Sequence, residues 1–269
     1  MCYSPIKILN KKTGIYESRS CRKCIECLQV RANEWALRGH FELKEHKENC
    51  FITLTYAKNP VILHKEHMQK FIKKLRKQIY PKKIKYFSCG EYGDRKLRPH
   101  YHIIIFGYDF KDKIYSHNSK SNIPIYISKQ LTDIWGHGET TVQTANANTV
   151  RYSAKYSAKL KDHLPSNLQA YPEFNTMSQN LGVKPILKNI ETYLKTDQIY
   201  IEGFSYKIPQ TILIKYVNTD SKFTTYGERY NFIQEFKEKR FNQYSTYPEL
   251  KVRERLAKKR VLHSSLRTL

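Results

Sequence analysis

Two histidines separated by one residue, His100 and His102, stand at the head of the run Arg98-Pro99-His100-Tyr101-His102-Ile103-Ile104-Ile105-Phe106-Gly107. The run is rich in β-branched and aromatic residues and carries Pro and Gly at its ends, the marks of a buried strand. Side chains alternate along a strand, so both imidazoles point to one face, roughly 7 Å apart along the backbone. Two imidazoles side by side can bind one divalent metal. The competing reading is two polar residues on the solvated face of an edge strand. Just upstream, Tyr86-Phe87-Ser88-Cys89-Gly90-Glu91-Tyr92-Gly93 reads as a second strand ending in a Gly-bounded turn. A hairpin through residues 94–98 would bring Glu91 near the histidine pair. Two imidazoles and a carboxylate with open positions suit Mg²⁺ or Mn²⁺ acting on a phosphate.

A second candidate group lies downstream, where the tetrad Tyr-Ser-Ala-Lys occurs twice in tandem from Tyr152 to Lys159. A helix is expected over residues 150–160, with Asn148 as its N-cap. Tyr152 and Tyr156 then stand one turn apart on one face, as do Lys155 and Lys159. The plainer reading is an ordinary helix burying two tyrosines. Third, Cys21, Cys24 and Cys27 form a C-x₂-C-x₂-C cluster, while Cys2, Cys50 and Cys89 are scattered. In a reducing compartment such a cluster favours metal over disulfide. It supplies three thiolates where structural Zn²⁺ wants four ligands, and Cys2, Cys50 or His40 would complete the set. Inert thiols are the alternative.

Cys89-Gly90-Glu91-Tyr92-Gly93 followed by Arg98-Pro99-His100-Tyr101-His102 resembles the metal motif of HUH endonucleases. The form is that of replication initiators from small single-stranded DNA bacteriophages, the microviruses, and above all their gokushovirus branch. Phe51-Ile52-Thr53-Leu54-Thr55-Tyr56 resembles the first motif of the same enzymes, although Thr53 and Thr55 read individually as residues of a core strand with no chemistry. The tandem Tyr-x-x-Lys resembles the catalytic motif in its two-tyrosine form. The resemblance is sharp from Cys50 to Lys159 and weaker outside. It implies an HUH αβ sandwich with a central antiparallel sheet of ferredoxin/RRM-like topology. It also implies Glu91, His100 and His102 as ligands of Mg²⁺ or Mn²⁺, Tyr152 and Tyr156 as nucleophiles, and Lys155 and Lys159 as their helpers.

Bulk composition points the same way. The 269 residues carry 48 Lys+Arg against 24 Asp+Glu, a net charge of +24. Solvation alone does not need that asymmetry, whereas neutralising phosphates does. Aromatics reach 13%, with 21 Tyr interleaved among the lysines, which suits unstacked bases. No apolar run approaches the ~20 residues needed to span a bilayer. The N-terminus lacks the apolar core region of a signal peptide. The expectation is a protein of the host bacterial cytoplasm that binds single-stranded and origin DNA without a membrane.

The elements that must position these residues follow from pattern. Residues 25–46 show helical spacing through Leu28, Ala32, Trp35, Ala36, Gly39 and Leu43, leaving Arg31 and Arg38 outside. Residues 50–56 form a strand, 65–80 a helix closed by Pro81, and 108–126 a polar loop. Ser128 caps a short helix to Trp135, and a strand follows at 139–144. Residues 161–187 read as a loop, in which Phe174-Asn175-Thr176-Met177-Ser178 and Gly182 resemble a phage-family segment of obscure purpose. Residues 198–217 suggest a strand pair, and 226–262 a basic helix.

The fold class is therefore α+β. The expected division is an N-terminal Cys-cluster and helix at 1–49, an endonuclease core at 50–162, and a mixed, basic helical accessory DNA-binding region at 163–269. The expected activity is nicking and rejoining of one DNA strand to start rolling-circle replication, with host helicase, polymerase and single-strand-binding protein as partners. The alternatives are a related relaxase, transposase or plasmid initiator, or a non-catalytic basic nucleic-acid-binding module.

Overall fold

The computed structural model describes residues 2–58, 60–93, 96–119, 121–156, 164–242, 252 and 254–257. The chain divides into two compact units, Ala32–Asn189 and the pair of segments Met1–Arg31 and Ile190–Leu269. Helix α1 (Ile25–Lys44) runs from one into the other.

The larger unit is built on β3 (Asn49–Leu54), α2 (Lys65–Gln78), β4 (Lys85–Tyr92), β5 (Pro99–Phe106), α3 (Lys129–Trp135) and β8 (Thr140–Thr144). These strands stand in the order β8-β3-β5-β4, with every neighbour antiparallel. A β-α-β-β-α-β chain in that order is the ferredoxin-like arrangement. The expected α+β fold with a central antiparallel sheet is therefore present. A hairpin of β6 (Ile114–Asn118) and β7 (Pro124–Ile127) extends the sheet beyond β8, and β9 (Phe174–Met177) extends it beyond β4, giving seven strands.

Both faces of this sheet are covered, which is why β3 and β5 are apolar at nearly every position. On one face Ile52, Leu54, Tyr101, Ile103 and Ile105 pack with Met68, Phe71, Ile72 and Leu75 of α2 and with Leu131, Ile134 and Trp135 of α3. On the other, Phe51, Phe87, Ile104 and Phe106 pack with Val150, Leu181, Trp35 and Leu43. Val150 belongs to α4 (Ala147–Lys155), which approaches α1 closely: a Cβ at Gly39 would lie 2.6 Å from Val150 Cγ1. The absent side chain thus sets how near α4 can lie.

Several local expectations need correction. Residues 108–126 hold the β6–β7 hairpin; β6 is exposed along its whole length, so it carries no apolar periodicity to read. The span 161–187 contains β9 and the short helix α5 (Val183–Lys188). Helix α4 is capped by Asn146, not Asn148: the Asn146 side chain accepts from Thr149 N at 3.0 Å, and Thr149 Oγ1 accepts from Asn146 N at 2.9 Å, a reciprocal capping box. Arg38 is buried rather than outside; its Nε donates to Leu181 O at 2.7 Å and its guanidinium lies 4.3 Å from the Trp35 ring centre.

In the smaller unit, β1 (Ile6–Leu9) pairs with β2 (Tyr16–Arg19) as a hairpin absent from the sequence expectation. After α6 (Ile190–Thr196), the expected strand pair is β10 (Gln198–Ile201) with β11 (Phe204–Lys207). It gives way to helix α7 (Gln210–Thr219) instead of continuing to residue 217. Rings of Tyr216, Phe223, Phe232 and Phe236 join α7 to α8 (Tyr226–Asn242). Of the long basic helix expected to residue 262, residues 252 and 254–257 are also helical, and 243–251, 253 and 258–262 lie outside the described residues. Among the described residues no helix is long and apolar enough to cross a membrane.

Candidate metal centre and its tyrosines

Strand register brings the acidic and imidazole groups together. Glu91 of β4 stands directly opposite His100 of β5, and Cys89 opposite His102. Because alternate residues share a face, Glu91, His100 and His102 project to the side covered by α1 and α4, while Tyr101 projects to the other. There Tyr101 is tied to Tyr56 Oη at 2.7 Å and donates to His64 O at 2.8 Å, which fixes the strand from behind.

Glu91 Oε1 lies 2.6 Å from His100 Nε2 and 3.0 Å from His102 Nε2. One ligand atom from each residue falls within 4.8 Å of the others. The far nitrogens are engaged as well: His100 Nδ1 lies 3.0 Å from Arg98 O, and His102 Nδ1 lies 3.0 Å from Thr53 Oγ1. A carbonyl accepts only, so His100 carries its proton on Nδ1 in that contact and leaves Nε2 for a ligand bond. Phe51 stacks on the His102 ring with centroids 5.3 Å apart, holding its plane. Burial raises the Glu91 pKa, but hydrogen bonds and charge from His100 and His102 outweigh it and hold the carboxyl at about 2. The group is thus an ionised carboxylate with two imidazoles, a donor set that fits a divalent cation such as Mg²⁺ or Mn²⁺.

Helix α4 places the tyrosines over this triad. The Tyr152 and Tyr156 ring centres lie 5.6 Å and 6.0 Å from that of His102, and 5.1 Å from each other. The Tyr156 hydroxyl donates to the Tyr152 hydroxyl. Tyr152 is 44% exposed, so solvent and a strand of DNA can reach it. Burial pushes the Tyr156 hydroxyl pKa well up, and the nearby Glu91 charge and the bond to Tyr152 push it further. Lys155, the last residue of α4, is exposed; Lys159 lies outside the described residues.

Thr53 is the site residue that sequence reasoning passed over, since a Thr in a buried strand has an ordinary packing role. Its register opposite His102 carries the signal, and that requires knowing that β3 pairs with β5. The Cys cluster gains a member too: Cys2 joins Cys21, Cys24 and Cys27, whereas Cys50 is buried in the sheet core and His40 on α1.

Residues 49–161 match the profile of a family of replication-associated proteins, that of the phage ORF2 type. That segment begins at the first residue of β3 and contains the triad and both tyrosines. Over 231 residues the chain is 35% identical to Replication-associated protein ORF4 of Chlamydia phage 1, covering 80% of this chain and 57% of that protein. It is 33% identical over 208 residues to Replication-associated protein ORF2 of Spiroplasma virus 4, covering 72% and 64%. It is 30% identical over 187 residues to Replication-associated protein VP4 of Bdellovibrio phage phiMH2K, covering 60% and 59%. The chain therefore spans 57% to 64% of the length of these curated relatives. No solved structure matches it. With the family profile over its sheet core and three phage relatives along most of its length, the chain belongs to the replication-associated proteins of small bacteriophages.

Proposed function

We propose that this protein initiates replication by cutting one strand of phage DNA through a tyrosine transesterification and later rejoining that strand into a circle. The observation that carries the reading is the placement of two tyrosine hydroxyl groups, joined by a hydrogen bond, above a Glu91–His100–His102 triad. A divalent cation held by Glu91, His100 and His102 would polarise a non-bridging oxygen of the scissile phosphate and offset the charge developing there.

A phenol is a weak nucleophile, with a pKa ordinarily near 10. Orientation compensates: α4 holds the hydroxyls beside the triad, so a phosphate docked there meets an oxygen already in place. In the cut, the tyrosine oxygen bonds to phosphorus, its proton passes to water, and the bond from phosphorus to the 3′ oxygen breaks. The products are a 5′-phosphotyrosine and a free 3′-OH that takes up a proton. Phosphodiester energy is kept in the protein link, so closure needs no ATP. Two tyrosines allow a second cut at the regenerated origin while the first still holds the old 5′ end. Lys155, exposed one residue before Tyr156, is suited to hold the phosphate backbone, and Lys159 is proposed for the same role.

The net charge of +24 supports binding to single-stranded and origin DNA, with the chemistry in residues 50–162 and accessory contacts in 163–269. The place of action would be the host bacterial cytoplasm, where the free 3′-OH needs a host polymerase, helicase and single-strand-binding protein.

The test uses single strands tiling the phage genome, labelled at either end, with Mn²⁺. The expected result is a denaturant-resistant adduct on the 3′-labelled fragment alone, abolished in His100→Ala, His102→Ala. DNA binding without any adduct would leave a non-catalytic nucleic-acid-binding module.

A further inference from the structure

The smaller unit contains a second cluster with metal-binding chemistry, formed by Cys2, Cys21, Cys24 and Cys27. We infer that these four cysteines form a closed tetrathiolate site for one Zn²⁺, which clips the N-terminal hairpin to the first turn of α1. The inference is independent of the proposed nicking reaction.

Geometry is the first support. Cys2 Sγ lies 3.9 Å from Cys24 Sγ, and Cys21 Sγ lies 4.0 Å from Cys27 Sγ. All four sulfurs fall within 4.8 Å of one another. Zinc–sulfur bonds of about 2.3 Å in a tetrahedron put sulfurs about 3.8 Å apart. The two observed spacings are close to that edge and far beyond a disulfide bond of about 2.05 Å.

The backbone supplies a second, separate observation. Cys2 Sγ accepts from Cys21 N at 3.2 Å, and Cys21 Sγ accepts from Cys24 N at 3.3 Å and Lys23 N at 3.5 Å. Peptide N–H groups converging on sulfur stabilise thiolate charge, the role of outer-shell donors around a metal. The turn that aims them has Arg22 at φ 62°, a left-handed conformation uncommon for a residue with a side chain. Arg22 and Lys23 also put two positive charges beside a centre whose four thiolates would exceed the charge of Zn²⁺.

The donor set decides the metal and the role. Four soft sulfurs with no carboxylate disfavour Mg²⁺ and Ca²⁺ and suit zinc. Four protein ligands leave no position for water or substrate, so the site holds structure and does no chemistry. The hairpin needs such a hold: β1 is exposed at all four residues, and an isolated two-stranded hairpin is at best marginal in water. The segment from Cys2 to Cys27 spans that hairpin, with Cys2 before β1 and Cys27 within α1.

The experiment is elemental analysis of the full chain purified without chelator, with Cys2→Ser, Cys24→Ser and Cys50→Ser alongside. The wild type and Cys50→Ser should carry zinc near one per chain, and the other two should lose most of it. Cobalt exchanged into the wild type should show the thiolate charge-transfer and visible bands of a tetrahedral site, a readout that does not depend on variants folding. Trypsin should cut after Arg19, Arg22 or Lys23 faster once zinc is stripped. Folded wild type with no zinc and six titratable thiols would overturn the inference, as would iron in zinc's place. Full zinc in Cys2→Ser would overturn the assignment of Cys2.

Discussion

The hydroxyl of Tyr156 donates a hydrogen bond to the hydroxyl of Tyr152, four residues earlier in the chain. The pair is therefore not equivalent. A negative charge forming on the Tyr152 oxygen keeps a donor beside it, whereas the Tyr156 oxygen has given its proton to that bond and stands half-buried near Glu91. Phe at either position removes a nucleophile and keeps the ring. Tyr156→Phe should still cut through Tyr152, slowed about tenfold by loss of a charge-assisted bond worth about 1.5 kcal/mol. Tyr152→Phe should cut through Tyr156 at a different rate. Neither should release circles, and the double variant should bind DNA without an adduct. Gel assays of adduct and circle formation decide it: circles from either single variant would mean that one tyrosine suffices.

Thr53 supports His102 from the neighbouring strand, with Oγ1 3.0 Å from Nδ1. Second-sphere partners of a metal-binding imidazole fix its tautomer and orientation, and losing one typically costs 10–100-fold in metal affinity. Thr53→Val preserves shape and removes the hydroxyl. The Mn²⁺ concentration for half-maximal nicking should rise by about that factor, with saturating rate less affected. An unchanged Mn²⁺ midpoint would count against a metal ligand role for His102.

The shared face of His100 and His102 is legible in the sequence because a strand has period 2, and the Tyr152–Tyr156 pairing because a helix brings residues four apart together. Thr53 is hidden because its partner is 49 residues away and only register supplies it. Cys2 is hidden for the same reason, lying 22 residues before Cys24. Arg38 looks like a solvated charge until Leu181 O and the Trp35 ring are seen around it. Asn148 and Asn146 are equally good caps by residue type; Thr149 three residues after Asn146 makes the choice by closing the reciprocal box.

Gly182 explains part of the segment that had no evident purpose. Its φ is +65°, and a Cβ there would lie 2.1 Å from Arg38 O and 2.6 Å from Arg38 Cα. Left-handed backbone and a collision with main chain act together, and α1 cannot yield without disturbing Trp35 and Leu43 beneath it. Gly182→Ala should lower unfolding stability by on the order of 3 kcal/mol. A chemical denaturation midpoint within error of wild type would mean that this loop does not seat on α1.

Glu42 closes the same contact from the next turn of α1. Its side chain is buried; Oε2 accepts from Gly182 N at 2.7 Å and from Lys85 Nζ at 2.9 Å, and Oε1 lies 2.9 Å from His46 Nε2. Burial raises the Glu42 pKa, but the bonds from Gly182, Lys85 and His46 outweigh it and leave it below the ordinary value of 4.5. A carboxyl whose folded pKa is depressed contributes stability above its unfolded pKa and loses it as pH falls through the folded one. Glu42→Gln keeps the shape and deletes the charge that Lys85 faces. At neutral pH it should cost about 1–3 kcal/mol, the range for hydrogen bonds to a charged group. Below about pH 4 the wild-type carboxyl itself takes up a proton, so the two proteins should converge in stability. Paired urea titrations at neutral and acid pH measure this, and a gap that stays constant or widens on acidification would show that the Glu42 charge is not what holds the 181–182 loop to α1.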